Sequence, residues 1–179
     1  MPLNSAGNSW EPVGMREKVT RVAGKEVLRI GAQSALDFYR YYLGRHSDPA
    51  PEMPLAVFEK NDSDFYIRTP LDFNEERGSI SFTARIPLGA TVQLTEATRE
   101  RMLENTRTSL QSAVKKVSDT WHPSAALMFS CFSRKQILGT RTREELQILQ
   151  NLLPGENPDT RYFQIAGKSI YCSETGGDY

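Results

Sequence analysis

PSAALMFSCFSRKQILG, residues 123–139, joins a nearly continuous apolar run to a short polar segment. The run 125–129 contains no polar residue at alternate positions, which is typical of a strand that is buried on both faces of a sheet. The polar residues after it predict a loop over 132–141. We therefore expect 124–131 to be a central strand with Cys131 at its carboxyl end.

A long amphipathic helix precedes this strand. Leu103, Leu110 and Val117 lie on one side of a helix predicted over 96–118, so we expect that side to pack against the sheet. Thr95 is the expected N-cap, because a threonine hydroxyl can accept a backbone N–H of the first turn.

A second helix follows the strand. The residues TREE at 142–145 fit a capping box, in which the side chains of Thr142 and Glu145 satisfy each other's backbone donors. We expect this helix to end at the Pro-Gly pair 154–155, and a strand over 161–166 is predicted after it.

The first half of the chain alternates short strands with one helix. Strands at 19–22 and 26–30 form a predicted hairpin, and Ser34 is the expected N-cap of a helix that runs to Leu43. Alternating apolar residues over 79–86 indicate a strand with one buried face. Other predicted strands cover 55–59, 65–69 and 91–94.

This order of elements predicts an α+β fold. We expect a mixed, largely antiparallel sheet packed with a long helix and two shorter helices, in a single domain that covers 15–179. Residues 1–14 begin with a stretch rich in Asn, Ser, Gly and Pro, so we expect them to form an N-terminal tail or linker.

The composition excludes several classes of protein. The 179 residues include 22 basic and 22 acidic side chains, so the chain lacks the basic excess that nucleic-acid binding needs. No apolar run approaches the ~20 residues that span a bilayer. The first ten residues lack the apolar region of a signal peptide, and two distant cysteines suit a reducing compartment. We therefore expect a cytoplasmic protein without nucleic-acid or membrane partners.

Catalytic and metal-binding patterns are weak in this sequence. It contains no nucleophile elbow, phosphate-binding loop, dinucleotide fingerprint or HExxH pattern. His46, His122 and the two cysteines form no local chelating pair. We expect neither catalysis nor a bound metal or cofactor. Two alternatives stay open: an enzyme that uses Cys131, and a haem-based sensor with His122 as axial ligand.

The residues after the predicted central strand suit a small anionic ligand. Ligands of α/β sheets often bind beyond the carboxyl ends of the strands. Arg134 can form two parallel hydrogen bonds with a carboxylate, and the helix that begins at Thr142 adds positive potential. The alternative is a buried Cys131 with arginines that only face solvent.

The order and spacing of these motifs resemble the C-terminal half of the FIST sensor family. Residues 123–139 are similar to the strand, Ser-Cys, turn and Leu-Gly motif of the family, and 142–154 are similar to the helix that follows it. RYFQIAGKSI, at 161–170, lies where the family has an aromatic strand and a Gly-Glu turn. The resemblance begins at a Trp-x-Pro stretch, 10–12, and covers nearly the whole chain after it.

The resemblance implies a sensory domain of bacterial signal transduction that binds a small molecule such as an amino acid. Related domains pass their state to histidine kinases, diguanylate cyclases or chemotaxis proteins. Some relatives resemble this sequence but bind haem and respond to nitric oxide. A separate chain that carries the N-terminal half of the family is another implied partner. A ligand-free protein-interaction or scaffold module is the alternative, and it predicts an exposed apolar patch.

By position, the resemblance also implies which residues bind the ligand. The turn arginine of the family falls on Arg134, and its acidic helix start falls on Glu144 and Glu145. The turn glycine of the family is Ser133 here, and Lys168 stands where the family has an acidic residue. The predicted ligand-binding residues are Cys131, Ser133, Arg134, Gly139, Arg141, Gly167 and Lys168.

Overall fold

A computed structural model describes residues 8–58, 64–116, 125–153, 161–166 and 169–172. The chain divides into two compact units, referred to below as the sheet unit, 10–96, and the mixed unit, 1–9 with 97–179. The elements of the sheet unit are β1 (Glu11–Ala23), β2 (Glu26–Ile30), β3 (Gln33–Ser34), α1 (Ala35–Leu43), β4 (Leu55–Phe58), β5 (Phe65–Arg68), β6 (Pro70–Asn74), β7 (Ser79–Phe82) and β8 (Thr91–Glu96). Those of the mixed unit are α2 (Arg99–Val114), β9 (Ala125–Ser130), α3 (Phe132–Leu138), a 3-10 turn (Gly139–Arg141), α4 (Thr142–Leu152), β10 (Arg161–Ala166) and β11 (Ser169–Cys172).

The antiparallel sheet of the sheet unit curls on itself. Its strands follow the order β5-β4-β8-β1-β2-β7-β6, and β3 pairs with β2. β5 ends at Arg68 and β6 begins at Pro70, so Thr69 alone joins the two outer strands. Because two residue steps span at most about 7 Å, the two edges of the sheet meet at this point.

The inside of the curled sheet is an apolar core. Ile80, Phe82 and Leu94 are at most 1% exposed, and α1 adds Phe38 and Tyr39, which are equally buried. Burial of the phenol raises the pKa of Tyr39 well above its ordinary value. The unit is therefore held together mainly by apolar packing.

The first hairpin and helix α1 form as predicted. β1 and β2 pair antiparallel around Gly24. The side chain of Ser34 accepts the backbone N–H of Asp37, and the helix ends at Gly44, whose φ of 101° favours glycine. β1 begins at Glu11, ahead of the domain start predicted at residue 15.

A bulge interrupts β1 opposite β8. Between two paired positions β1 uses four residue steps where β8 uses two. Gly14 lies in this bulge with a φ of 74°, and a Cβ at Gly14 would lie 2.4 Å from Cε1 of Tyr42. The hydroxyl of Tyr42 accepts the backbone N–H of Met15 at 3.0 Å. The bulge therefore requires glycine at position 14.

The mixed unit contains a three-stranded sheet in the order β11-β10-β9. β9 and β10 are parallel, and α3 and α4 connect them, whereas β10 and β11 are antiparallel. The described strands thus form two sheets, where we expected one. The α+β class and the largely antiparallel pairing are confirmed.

The prediction of a central strand buried on both faces is wrong for β9. Among the described strands β9 lies at one end of its sheet. Ala126 and Met128 pack against the leucines of α4, whereas Leu127 is 57% exposed and Phe129 is 72% exposed. An unbroken apolar run does not distinguish a strand packed on one face from a strand buried on both faces. In β9 the exposed positions are apolar as well.

The predicted start of the long helix is also wrong. α2 begins at Arg99, and Thr98 is its N-cap, with a side chain that accepts the N–H of Arg101. Thr95 belongs to β8, where both its hydroxyl and its backbone N–H donate to the carbonyl of Pro54. A second threonine three residues further on therefore caps the helix.

The segment predicted as a loop after β9 forms helix α3. Cys131 is its N-cap, and Gly139 ends it with a φ of 56°. Straight-chain residues inside the segment have good helix propensity, which outweighs its polar composition.

Candidate functional site

An arginine and a glutamate form a buried ion pair in the mixed unit. Nε of Arg134, on α3, donates to Oε1 of Glu145, on α4, at 3.0 Å, and Nη2 donates to the same oxygen. The two side chains are 12% and 1% exposed. Removing such charges from water costs several kcal/mol each, so both ions depend on close partners.

Four further residues complete the hydrogen bonding of this pair. Ser130, at the end of β9, donates to Oε2 of Glu145 at 2.8 Å. Thr106 of α2 donates to Oε1 at 2.9 Å and accepts from Nη2 of the arginine at 2.7 Å. The carbonyl of Met102 accepts from Nη2 at 2.8 Å, and the hydroxyl of Ser9 accepts from Nη1 at 2.6 Å. This buried polar network consists of Ser9, Met102, Thr106, Ser130, Arg134 and Glu145.

A second set of ion pairs lies at the surface around Arg141. Its Nε donates to Glu144 at 2.7 Å, and its Nη1 donates to Glu100 at 2.7 Å. The hydrogen bond from Arg141 lowers the pKa of Glu144, while the pKa of Glu100 is lowered first by its own backbone N–H and then by Arg141. These carboxylates raise the pKa of Arg141 in turn. Because water screens these charges, the pairs add little stability.

The predicted capping box at the start of α4 is wrong. Arg141 is the N-cap and makes no side-chain capping bond. The hydroxyl of Thr142 donates to the carbonyl of Gly139 at 2.8 Å, and the backbone N–H of Thr142 donates to the same residue. The 3-10 turn therefore continues into the helix, and the carboxylate of Glu145 is available to Arg134.

Most of the chain matches a known family. The sequence model of the FIST C domain matches residues 35–160. The chain belongs to the FIST C domain family. Domains of this family act in sensing and signal transduction and are not known as catalysts. A search of curated proteins and a search of solved structures found no match.

The predicted ligand-binding residues lie in different surroundings. Arg134 is part of the buried polar network, and Ser133 is buried beside it on α3. Cys131 is a free, exposed thiol whose Sγ accepts the backbone N–H of Arg134 at 3.4 Å, so the alternative of a buried cysteine is wrong. Gly139 and Arg141 form the 3-10 turn.

The two arginines of the predicted site bond to different acids. Arg134 bonds to Glu145 in the interior, and Arg141 bonds to the adjacent Glu144 at the surface. The remaining predicted residues, Gly167 and Lys168, and the haem-ligand candidate His122 lie outside the described residues.

Reasoning from sequence missed the role of Glu145. It precedes Leu149 by four positions and so lies on the apolar side of α4, which was the available signal. Thr106 lies on the apolar side of α2 in the same way. No sequence pattern indicated a role for Ser9, because it lies in a polar segment that precedes the residues matched to the FIST C domain.

Metal-binding groups and membrane-spanning helices are both absent from the described residues. Among them, no three His, Cys, Asp or Glu side chains lie close enough together to hold a metal ion. Of the helices in this part of the chain, none is long and apolar enough to cross a membrane.

Proposed function

We propose that this FIST C domain binds a small anionic ligand, such as an amino acid, through Arg134. The observation that carries the proposal is a guanidinium held in a fixed position inside a sensory domain. Nε and Nη2 bond to Glu145 and the α2 helix, which orients the remaining nitrogen, Nη1. Nη1 bonds to the neutral hydroxyl of Ser9, and a ligand carboxylate forms a stronger bond at this atom.

The other residues of the proposed site surround this arginine in the sequence. Ser133 and Cys131 offer a hydroxyl and a thiol on the same helix. Gly139 and Arg141 lie in the 3-10 turn that leads into α4. Gly167 and Lys168, which follow β10 in the sequence, are also part of the proposed site.

Sensing requires the ligand to favour one of two conformations. We propose that the favoured conformation is read by a signalling protein in the bacterial cytoplasm, such as a histidine kinase, a diguanylate cyclase or a chemotaxis protein. The N-terminal half of the FIST family on another chain is a further proposed partner.

Thermal shift with a panel of amino acids and small dicarboxylates tests the proposal, followed by calorimetric titration of any compound that raises Tm. Arg134→Lys keeps the charge inside the network but loses the planar fork, so we expect a Kd at least about tenfold higher. Arg107→Lys, at an exposed pair on α2, is the matched control and leaves the Kd unchanged. If no compound raises Tm in either the wild type or Ser9→Ala, a variant that frees Nη1, or if Arg134→Lys binds as tightly as the wild type, the proposal is wrong.

A second candidate function is protein interaction without a small ligand. Three large apolar side chains near the end of β9 are more than half exposed: Leu127 at 57%, Phe129 at 72% and Phe132 at 53%. An apolar group of this kind at a surface favours contact with another protein. Light scattering across a concentration series tests self-association, and we expect Phe129→Thr to weaken it. Leu88→Thr, at a residue 66% exposed in the sheet unit, is the control. A chain that stays monomeric throughout the series argues against self-association.

A further inference from the structure

Two residues of the N-terminal segment lie against the buried polar network. The hydroxyl of Ser9 is 2.6 Å from Nη1 of Arg134, and Ser9 is 2% exposed. The carbonyl of Asn8 accepts a hydrogen bond from Nδ2 of Asn105, on α2, at 3.1 Å. Asn8 and Ser9, the strap, thus bond to two different helices of the mixed unit.

We infer that the strap occupies the position at which a ligand carboxylate meets Arg134, and that the ligand displaces it. This inference rests on the proposed function and adds its regulation. Ser9 covers Nη1, so an anion reaches this nitrogen only after the strap has moved. Until then the strap competes with the ligand.

The chemistry of the network favours displacement of Ser9 over displacement of Glu145. The carboxylate of Glu145 accepts from Arg134, Thr106 and Ser130, and expelling it would leave a charge unpaired in the interior. Ser9 contributes a neutral hydroxyl. Replacing that hydroxyl by a carboxylate keeps Nη1 bonded and adds an opposite charge at the acceptor, so the bond becomes an ion pair between guanidinium and carboxylate.

The position of the strap in the chain connects this exchange to the sheet unit. Ser9 ends the N-terminal part of the mixed unit, and the next residue, Trp10, begins the sheet unit. Nε1 of Trp10 donates to the carbonyl of Glu52 at 3.3 Å. Movement of the strap therefore acts directly on Trp10, the residue at which one unit passes into the other. A ligand that binds only when the strap has moved would favour that conformation of the junction, as signalling requires.

Binding of L-glutamate and succinate to Ser9 variants of the full chain tests the inference, with sodium chloride as the ionic-strength control. Ser9→Ala removes the competing hydroxyl, so we expect a Kd lower by about two- to tenfold. Ser9→Asp attaches a carboxylate to the strap itself, and we expect it to weaken binding at least about tenfold. Ser47→Ala removes a hydroxyl that donates to Leu43 in the sheet unit and leaves the Kd unchanged.

A second measurement reports the strap itself. In a Trp121→Phe background Trp10 is the remaining tryptophan of the chain. Succinate should change its emission and speed hydrogen exchange of the amides at 8–10. At a succinate concentration near the wild-type Kd, both effects should be much smaller in Arg134→Lys.

The outcomes separate this inference from the proposed function. Equal Kd values for wild type and Ser9→Ala, or binding without faster exchange at 8–10, overturn the strap and leave the ligand site standing. Binding by Ser9→Ala where the wild type fails to bind supports the strap. No binding by either protein overturns the proposed function, and the inference with it.

Discussion

The interiors of the two units differ in kind. Among the described residues of the sheet unit, thirteen buried ones form the apolar core, with α1 packed into the curl of the strands. The mixed unit has a smaller apolar cluster around Leu146, Leu149 and Leu153, and it also encloses the ion pair of Arg134 and Glu145. Apolar packing stabilises the interior of the sheet unit, whereas the interior of the mixed unit combines apolar packing with a buried ion pair.

This difference shows where a sensory function is easiest to build. An apolar core responds to loss of volume and offers few polar atoms to a ligand. A buried polar network responds to loss of a partner, because an unpaired charge is costly, and its hydrogen bonds can be exchanged for those of a ligand. Substitutions in the two interiors measure this difference.

Glu145→Ala should destabilise the protein by about 3–5 kcal/mol, because it leaves Arg134 buried without its counter-ion. Replacing both residues, as Arg134→Met with Glu145→Leu, should restore most or all of this loss. Denaturant unfolding measures both variants. Glu104→Ala, which breaks an exposed pair on α2, is the control and should change stability little. A double variant no more stable than Glu145→Ala would show that the network acts through more than charge.

Leu94→Ala should destabilise the sheet unit by about 2–5 kcal/mol, since it opens a cavity in the apolar core. Leu94 is 1% exposed, whereas Leu88 is 66% exposed. Leu88→Ala is therefore the matched control and should stay within about 0.5 kcal/mol of the wild type. Equal losses in the two variants, measured by denaturant unfolding, would contradict the assignment of the core.

Gly14→Ala should cost more than Gly24→Ala. Both glycines have positive φ, so each substitution carries a conformational cost of about 1–2 kcal/mol. At Gly14 the new Cβ also meets the ring of Tyr42, whereas at Gly24 no atom lies within 4 Å. The difference between the two melting temperatures measures the contact at the bulge, and a difference of zero would mean that the ring moves freely.

The smallest effect is a dependence on pH at Arg141. The folded-state pKa of Glu144 lies below its ordinary value of 4.5 because Arg141 donates to it. Its contribution is therefore present above 4.5 and is lost as the pH falls through the folded-state pKa. Melting temperatures between neutral pH and strongly acidic pH should fall slightly less in Glu144→Gln than in the wild type. A steeper fall in the variant would contradict this sign.

Much of the sheet unit follows from local sequence signals. Ser34 and Gly44 mark the ends of α1 and Gly24 marks a hairpin, because each signal reports a backbone preference of nearby residues. Alternation marks the start of β7, but the strand ends at Phe82 and not at the predicted residue 86. The same rules fail where a competitor lies close by. Thr95 has the right chemistry for an N-cap, but it pairs with Pro54 in β8 and Thr98 caps α2 instead.

The candidate site was predicted only in part. Arg134 was singled out from its position after β9 and from the resemblance, and it lies in the buried polar network. Its partners come from other segments: Glu145 eleven positions later, Thr106 on α2 and Ser9 near the N-terminus. Spacing along the chain indicates that Glu145 and Thr106 lie on apolar helix sides, but it does not show which residues they contact.

The sequence by itself determined the α+β class, most of the helices and strands, and membership of the FIST C domain family. These properties depend on periodicity, capping and motif order, all of which are local. Only the tertiary structure decided that Phe129 faces solvent, that adjacent acids Glu144 and Glu145 pair with different arginines, and that Ser9 bonds to Arg134. Burial and charge pairing depend on which distant segments meet, and only the packed chain brings those segments together.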